Sequence, residues 1–352
     1  MPESRWKSFE AFDSEQWLEA VGDARNVPNA TWDQPIWSAN LAPFALPARG
    51  IAPPEEGNPW QLQQSIKSHR EIIPALMHGA SGLRLDLESS GCDMNWLEGV
   101  HLDMVELHID PVLFQNGALD VLSLLDSGWC GTCCLEVDQA ITDKEWNDHQ
   151  RLFADAPDLR IWKFGIEDHR NRALNLVQAM VEYCASMDVW LQKCLASNAP
   201  LEQELNRFVW RWWTSVDVME EVAALRALRA LWSRWLKEHK LEDRPIWIDA
   251  TTSIASFRDE LESDHLIDLT AASYAAVIGG ADGLETLPYL AKEGNETQRD
   301  SPLRWARNIQ HLMREEAGLH RTFDPMGGSR TLDTWSSNML EAAWSSYLNT
   351  KA

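Results

Sequence analysis

The side chains best suited to acid–base chemistry lie at the ends of three apolar runs. His108 and Asp110 are two positions apart, so they share one face of an extended strand, because side chains alternate along it. Asp138 and Thr251 end two further runs of the same kind. A histidine beside a carboxylate can take a proton from a substrate and return it. The same pair can also form an internal ion pair, and the sequence does not choose between these interpretations. The candidate catalytic residues are therefore His108, Asp110, Asp138 and Thr251.

Three of the six cysteines fall in one short segment, residues 130–134 (CGTCC). The C-x-x-C spacing within it is typical of a redox pair or of half a zinc site. A complete zinc site needs a second closely spaced pair of ligands, and Cys184 and Cys194 are too far apart to supply it. Cys133 and Cys134 also begin a predicted buried strand, where cysteine is a common small apolar side chain. We therefore expect these cysteines to pack in the core, and we expect no metal site.

Short apolar runs alternate with helical patterns from residue 58 onward, which indicates a parallel α/β fold. Predicted strands cover residues 60–65, 83–88, 104–110, 133–138, 159–167, 208–215, 246–251 and 283–287, and predicted helices cover 71–78, 114–125, 143–153, 171–195, 218–239, 266–278 and 302–316. A barrel of eight strand–helix units takes about 250 residues. Residues 58–352 therefore predict a (β/α)8 TIM barrel, with a doubly wound sheet as the alternative. Residues 1–57, rich in Trp, Pro and acidic side chains, predict an extended N-terminal arm.

The inward faces of the predicted strands carry many charges. The inward set is Arg84, Asp86 and Glu88; Glu106, His108 and Asp110; Glu136 and Asp138; Lys163, Gly165 and Glu167; Val209, Arg211 and Trp213; and Trp247, Asp249 and Thr251. Strands of a parallel barrel usually read as near-continuous apolar runs. Buried charges are costly unless they are paired. This pattern, about three basic against eight acidic side chains, predicts an ion-pair network, a wet cavity or an active site.

Composition excludes several classes of partner. The net charge of −23 opposes binding to nucleic acid or to an anionic membrane surface, since both require Lys and Arg to neutralise phosphate. No apolar run reaches the roughly 18 residues of a transmembrane helix, and the first residues lack a signal-peptide core. We therefore expect a cytoplasmic protein. Bulky packing is the expected role of the tryptophans in helical patterns, which are Trp190, Trp232, Trp235, Trp305 and Trp344.

Two further features have structural interpretations. Arg226 and Arg229 lie three positions apart on one predicted helix and indicate an ion-pairing face. Residues 324–329 (DPMGGS) are rich in glycine, but they lack the lysine of a phosphate-binding loop. We expect them to form a turn at the end of the barrel.

The carboxyl-terminal third carries a family resemblance. Residues 269–280 (LTAASYAAVIGG), 304–310 (RWARNIQ), 324–329 and 342–344 (AAW) follow one another in an order that resembles the last two strand–helix units and end cap of the methylmalonyl-CoA mutase barrel. Residues 224–232 (ALRALRALW) are similar to the sixth barrel helix of that family. The resemblance covers about residues 45–350. The chain looks most like the small, non-catalytic subunit, shortened to its barrel.

The resemblance also shows where the chain departs from catalytic members. Those members thread the pantetheine arm of acyl-CoA through a lumen of small hydrophilic residues, where this chain has Arg, Lys, Glu and Trp. They carry Tyr-His after the fifth strand, which residues 162–169 (WKFGIEDH) lack, and Asn-x-x-Arg where residues 265–268 read HLID. The cobalamin motif Asp-x-His-x-x-Gly of the family's separate domain does not occur in this sequence. We expect no C-terminal cobalamin-binding domain and no cofactor bound by this chain.

Two functions follow from the resemblance. In the first, the chain is a structural subunit of a cobalamin-dependent methylmalonyl-CoA mutase complex and forms a heterodimer with a larger catalytic subunit, which would hold adenosylcobalamin. In the second, it is a catalytic barrel subunit of an acyl-CoA mutase, an isomerase that uses a separate cobalamin-binding chain. His108, Asp110, Asp138 and Thr251 would serve the second function, since barrel chemistry occurs at the carboxyl ends of the strands.

Overall fold

The computed structural model describes residues 34–36, 39–41, 60–85, 92–110, 113, 119–137, 141–156, 159–164, 175–253, 255, 262–289, 300–321 and 324–351. The strands in these ranges are β1 (Gln34–Ile36), β2 (Ala39–Leu41), β3 (Gln61–Ile66), β4 (Gly82–Leu85), β5 (Glu106–Ile109), β6 (Cys130–Glu136), β7 (Arg160–Phe164), β8 (Phe208–Thr214), β9 (Trp247–Thr252) and β10 (Gly283–Glu285). The α-helices are α1 (His69–Met77), α2 (Val121–Asp126), α3 (Asp143–Leu152), α4 (Leu176–Ser197), α5 (Leu201–Glu204), α6 (Val218–Glu238), α7 (Glu262–Ile278), α8 (Asp300–His311) and α9 (Arg330–Lys351).

Strands β3 to β10 close into a barrel of eight parallel strands in the order β10-β3-β4-β5-β6-β7-β8-β9. The longest register runs between β8 and β9, from Val209 opposite Trp247 to Thr214 opposite Thr252. The predicted (β/α)8 TIM barrel is therefore confirmed, and the doubly wound alternative is wrong. Strands β1 and β2 pair antiparallel within the region predicted as an extended arm. The division of the chain after residue 57 stays a prediction.

Some element boundaries differ from those predicted. Strand β6 begins at Cys130, three residues before the predicted start at residue 133. The added segment contains Gly131, which has a φ of 133°. Gly131 lies so close to β5 that a methyl group there would overlap the Leu107 carbonyl oxygen. Only glycine tolerates both that dihedral and that approach. Helix α7 also starts earlier, at Glu262, and a π-helical turn, Leu312–Glu316, follows α8.

Side-chain caps fix where two of the helices begin. Thr142 and Glu145 form a reciprocal capping box at the start of α3, and Asn175 and Gln178 form another at the start of α4. Such caps satisfy the backbone N–H groups of a first helical turn and contribute about 1 kcal/mol each. No helix within the described ranges is both long enough and apolar enough to cross a membrane.

Tryptophans fill the layer between strands and helices. The indoles of Trp146 on α3 and Trp162 on β7 stack with ring centroids 4.0 Å apart. On β8, Trp210 is fully buried and meets Trp232 of α6 edge to face at 5.9 Å. The expected packing role is thus confirmed for Trp190, Trp232, Trp235 and Trp344, all of which are buried. It is wrong for Trp305, which is 43% exposed on α8.

The two arginines of α6 pair within the chain. Arg226 bridges Asp324 and Asp333, at 2.5 Å from the latter, and thereby fastens the turn at residues 324–329 and α9 to α6. Arg229 lies 2.8 Å from Asp282, at the start of β10. The predicted ion-pairing face therefore holds the barrel's own end together.

Candidate functional site

Alternate residues of the barrel strands direct their side chains into the bore, and many of them are polar. The predicted inward direction is confirmed for Arg84, His108, Arg211 and Asp249, whose hydrogen bonds and ion pairs cross between strands. Asp86, Glu88, Asp138, Gly165 and Glu167 lie outside the described residues. Strands β3 and β10 add side chains that the sequence analysis did not include, namely Gln61, Gln63, Ser65 and Glu285.

Two arginines and two carboxylates form the centre of the bore. Arg84 on β4 lies 3.3 Å from Asp249 on β9 and 3.3 Å from Glu285 on β10. Arg211 on β8 lies 3.2 Å from the same Glu285 oxygen. The side chains of Asp249 and Glu285 are each 3% exposed. These ions therefore compensate one another rather than being neutralised by solvent.

Neutral donors complete the coordination of the two carboxylates. Gln63 donates its amide to Asp249 at 2.8 Å, and the Trp247 indole donates to the same oxygen at 2.7 Å. The Ser65 hydroxyl donates to Glu285. A methyl group at Gly283 would lie 2.5 Å from the Asp249 oxygen, so the bore has no spare space at this level. A buried polar network satisfied in this way is rigid.

The pKa values of these carboxyls follow from the arginines. Burial alone would raise the pKa of Glu285, but Arg84 and Arg211 outweigh it and the pKa is lowered. The pKa of Asp249 is lowered as well, since Arg84, Arg160 and the hydrogen bond from Trp247 outweigh the effect of burial. Both side chains are therefore carboxylates at neutral pH.

The amino end of the bore is closed by a second ion pair. Arg160 on β7 pairs with Glu106 on β5, and its guanidinium lies 3.9 Å above the Trp247 ring. Simple alternation from Trp162 would turn Arg160 toward the helices, so the sequence analysis missed it. The register between β6 and β7 shifts after Thr132, opposite which Arg160 lies. The regular pairing of the two strands is therefore interrupted next to Arg160, where simple alternation does not predict the side-chain direction.

His108 is neutral, and both of its ring nitrogens form hydrogen bonds. Its Nε2 lies 2.9 Å from the Gln61 side-chain oxygen and its Nδ1 lies 2.9 Å from the Thr132 hydroxyl. Burial lowers the pKa of His108 well below its usual value, so the ring donates through Nε2 and accepts at Nδ1. The four candidate catalytic residues are only partly brought together. His108 and Asp110 both line the cavity described next, Thr251 accepts a hydrogen bond from Arg211 at 3.1 Å, and Asp138 lies outside the described residues.

A small cavity of about 210 Å³ remains toward the carboxyl ends of the strands. Its walls are Arg84, Leu85, His108, Ile109, Asp110, Thr132, Cys134, Lys163, Val209, Arg211, Trp213 and Asp249. Pockets for drug-sized ligands have volumes of about 300–1,000 Å³, so this cavity suits something smaller. Three of its walls are cationic, Arg84, Lys163 and Arg211. The acidic excess expected from the sequence does not hold around it, where the carboxylates are Asp110 and Asp249.

Two of the cysteines, Cys130 and Cys134, have hydrogen-bonded thiols. Cys130 donates to the Leu102 carbonyl at 3.3 Å and Cys134 donates to the Arg160 carbonyl at 3.2 Å. Burial raises the pKa of Cys134 to about 12, and all six cysteines are free thiols. Within the described part of the chain, no cluster of His, Cys, Asp and Glu has the arrangement of a metal site. The C-x-x-C segment therefore has the structural role that the sequence favoured.

Comparisons with known proteins agree with the barrel. Residues 177–350 match the family model of methylmalonyl-CoA mutase. The methylmalonyl-CoA mutase small subunit of Propionibacterium freudenreichii subsp. shermanii is 26% identical over 363 residues, which cover 89% of this chain and 54% of the relative. The small subunit of Streptomyces virginiae is 24% identical over 336 residues, covering 87% of this chain and 54% of the relative.

A full-length relative matches over a shorter region. The methylmalonyl-CoA mutase of Rhizobium meliloti is 26% identical over 172 residues, 48% of this chain and 24% of that protein. The chain spans about half the length of the small subunits it matches. The family model begins within α4 and ends within α9, so it includes the barrel strands β8, β9 and β10. With the closed parallel barrel, these matches confirm the resemblance of the chain to the methylmalonyl-CoA mutase family.

Proposed function

We propose that this chain is a structural subunit of a cobalamin-dependent methylmalonyl-CoA mutase complex, in which a larger chain does the catalysis. The observation that carries the proposal is the ion-pair network across the bore. Arg84 reaches from β4 to Asp249 on β9 and Glu285 on β10, across the path that an acyl-CoA arm would follow. A thioester could enter only by displacing ions that are buried and paired, which costs several kcal/mol.

The volume of the bore supports the same function. The cavity of about 210 Å³ lies at the carboxyl ends of the strands, and the network of Arg84, Asp249 and Glu285 lies along its inner side. At the opposite end the Arg160–Glu106 pair and the Trp247 ring fill the barrel. A coenzyme thioester is larger than this cavity, so the barrel serves as a scaffold.

The side chains in the bore also do not suit the family's cofactor. The resemblance implies that cobalt takes its histidine ligand from the family's separate cobalamin domain, so His108 in the bore does not correspond to that ligand. Both of its ring nitrogens are already bonded, to Gln61 and Thr132, within a packed interior. We therefore assign adenosylcobalamin to the partner chain and derive no step through it here.

The alternative is a catalytic barrel that borrows a cobalamin-binding chain. One observation favours it, because the cavity opens at the carboxyl ends of the strands, where barrel enzymes have their active sites. His108 and Asp110 line that cavity, and Thr251 adjoins it through Arg211. In that case Asp110, directly after β5, would act on the substrate as acid or base.

The two functions differ in what Asp110→Asn does to a reconstituted complex. The chain is co-expressed with the larger mutase subunit from the same genome, purified through a tag on this chain, and assayed with methylmalonyl-CoA and adenosylcobalamin. A structural subunit predicts co-purification, no activity for this chain alone, and a kcat within about twofold of the wild type for the Asp110→Asn complex. Activity of this chain alone, or a tenfold loss of kcat in the variant complex at unchanged stability, would replace the structural function with the catalytic one.

Calorimetric titration of the purified chain with coenzyme A provides the independent check. The blocked bore predicts no binding at millimolar coenzyme. A dissociation constant in the micromolar range would show that the tunnel is open.

A further inference from the structure

The cavity in the bore has more donors than acceptors. Lys163 lines it, and its ammonium group forms no hydrogen bond or ion pair with any residue that the structure describes. The indole N–H of Trp213, another wall residue, is buried without an acceptor among those residues. Unpaired buried donors are rare in folded proteins, because each costs about 1–3 kcal/mol, more when charged. Among the described residues, the Trp213 N–H therefore lacks an acceptor and the half-buried Lys163 ammonium lacks a counter-ion, and an anion inside the cavity would serve both groups.

The cavity wall carries more cations than anions, which suits an acceptor with a negative charge. Arg84, Lys163 and Arg211 face it, against two wall carboxylates, Asp110 and Asp249. Asp249 is already bound to Arg84, Gln63 and the Trp247 indole. Burial lowers the pKa of the Lys163 amine, Arg211 lowers it further, and Glu136 acts in the opposite direction. A bound negative charge would remove the repulsion between Lys163 and Arg211.

Size restricts the ligand. A cavity of about 210 Å³ can hold several water molecules or one small organic acid. Its apolar walls, Leu85, Ile109, Val209 and the Trp213 ring, suit a short carbon chain.

We propose that this cavity is a binding site for a small anion, a short-chain carboxylate or inorganic phosphate, held by the Lys163 ammonium and the Trp213 N–H in the field of Arg84 and Arg211. The site is independent of the structural role proposed above, because it needs no partner chain and no coenzyme. Carboxylate and phosphate share the acceptor oxygens that these donors require. Which of the two binds depends on shape, since the apolar walls favour a carbon chain and the three cations favour a higher charge.

The test is calorimetric titration of the full chain with sodium acetate, propionate, succinate and phosphate, each at constant ionic strength set with sodium chloride. The wild type is expected to bind at least one of these with a dissociation constant below about 1 mM. Lys163→Met should weaken that binding at least tenfold. Lys193→Met is the matched control, because Lys193 pairs with Asp143 on the surface, where Asp143 is 87% exposed, and its binding should not change.

Thermal unfolding without added anion keeps the test interpretable. Lys163→Met removes a half-buried cation that forms no ion pair with a described residue, so the variant should unfold at the same temperature as the wild type or higher. The proposal is overturned if the wild type binds none of the four anions below 10 mM, or if Lys163→Met binds them as tightly as the wild type does.

Discussion

Arg84 is the residue on which the blocked bore depends, and its replacement by methionine gives the sharpest test. The guanidinium is 13% exposed and lies 3.3 Å from both Asp249 and Glu285. Methionine keeps most of the side-chain volume but leaves the two carboxylates without their shared cation. Arg211 still compensates Glu285, and Asp249 keeps the hydrogen bonds from Gln63 and Trp247.

The expected loss of stability in Arg84→Met follows from the interactions that remain. Removing one partner of a buried ion pair costs about 3–5 kcal/mol. Since Arg211 remains, the lower end applies, and we expect Arg84→Met to reduce the free energy of unfolding by about 3 kcal/mol at pH 7. Urea unfolding followed by tryptophan fluorescence measures this change. Arg234→Met is the control, because Arg234 and Glu341 form an exposed pair at 2.7 Å that contributes about 1 kcal/mol or less.

Dependence on pH distinguishes lost charge compensation from lost packing. The folded pKa of Glu285 is lowered by Arg84 and Arg211, so its ionised form stabilises the wild type above the unfolded pKa of about 4.3. That stabilisation is lost as pH falls through the lower folded pKa. In Arg84→Met the carboxyls lose this advantage, so protonating them relieves the variant. The difference in unfolding free energy between wild type and variant should therefore shrink between pH 7 and pH 4.

Two results would refute the reasoning. A loss below about 1 kcal/mol would show that water already compensates the carboxylates, so the bore would be hydrated and open to a coenzyme arm. A large loss that is constant with pH would assign the cost to packing. In either case the structural function would lose its main support.

Three other predictions concern the barrel itself. Gly131→Ala should reduce the free energy of unfolding by at least about 3 kcal/mol, because a methyl group there overlaps the Leu107 carbonyl. Gly99→Ala, in open space at a φ of 79°, should reduce it by about 1 kcal/mol. Urea unfolding of the two variants measures the difference. Burial lowers the pKa of His149 to about 4. The neutral ring therefore contributes fully to stability above about pH 6.5, and this contribution is lost as pH falls toward 4. In His149→Gln the free energy of unfolding should depend less on pH over that range. Iodoacetamide at pH 8 should leave Cys134 unmodified in the native protein and label it in urea, as mass spectrometry of peptides would show, because its pKa is about 12.

Strand periodicity alone predicted much of the bore. Arg84, Arg211 and Asp249 each lie between apolar neighbours that face the helices, and the two-residue alternation placed them inside correctly. The same reasoning failed where a strand is irregular or short. Arg160 pairs with Glu106 in the bore next to the register shift between β6 and β7. Glu285 belongs to a strand of three residues, too short to show an alternation of its own.

The arrangement of the candidate site was less predictable than its composition. His108 lies on β5 and Asp110 directly follows that strand, but sequence spacing cannot show that the ring nitrogens of His108 are satisfied by Gln61 and Thr132. Those partners are neutral residues on other strands, and nothing in their local sequence marks them as ligands of a histidine. Cavity volume likewise depends on packing across the whole barrel, so the sequence of a single strand cannot predict it.

An ionic bore is compatible with a stable barrel because the hydrophobic layer lies outside it. Trp162, Trp210 and Trp212 all point from the strands toward the helices and are fully buried. Each such indole buries about 150–250 Å², a gross gain of about 4–6 kcal/mol at 25 cal/mol per Å². The interior could therefore become polar without loss of the fold.

Because the four buried ions of the bore pair with one another, single substitutions cannot easily open it. Removing any single ion from the network leaves its partners buried and uncompensated, at a cost of several kcal/mol. Reopening a coenzyme tunnel would require Arg84, Arg211, Asp249 and Glu285 to be replaced together by small residues. Stepwise substitution passes through destabilised intermediates, since the stability of a whole domain is about 5–15 kcal/mol. If the proposed structural function holds, the stability of this network keeps the barrel in that role, and substitutions are expected mainly at the outer surface, where a partner chain would bind.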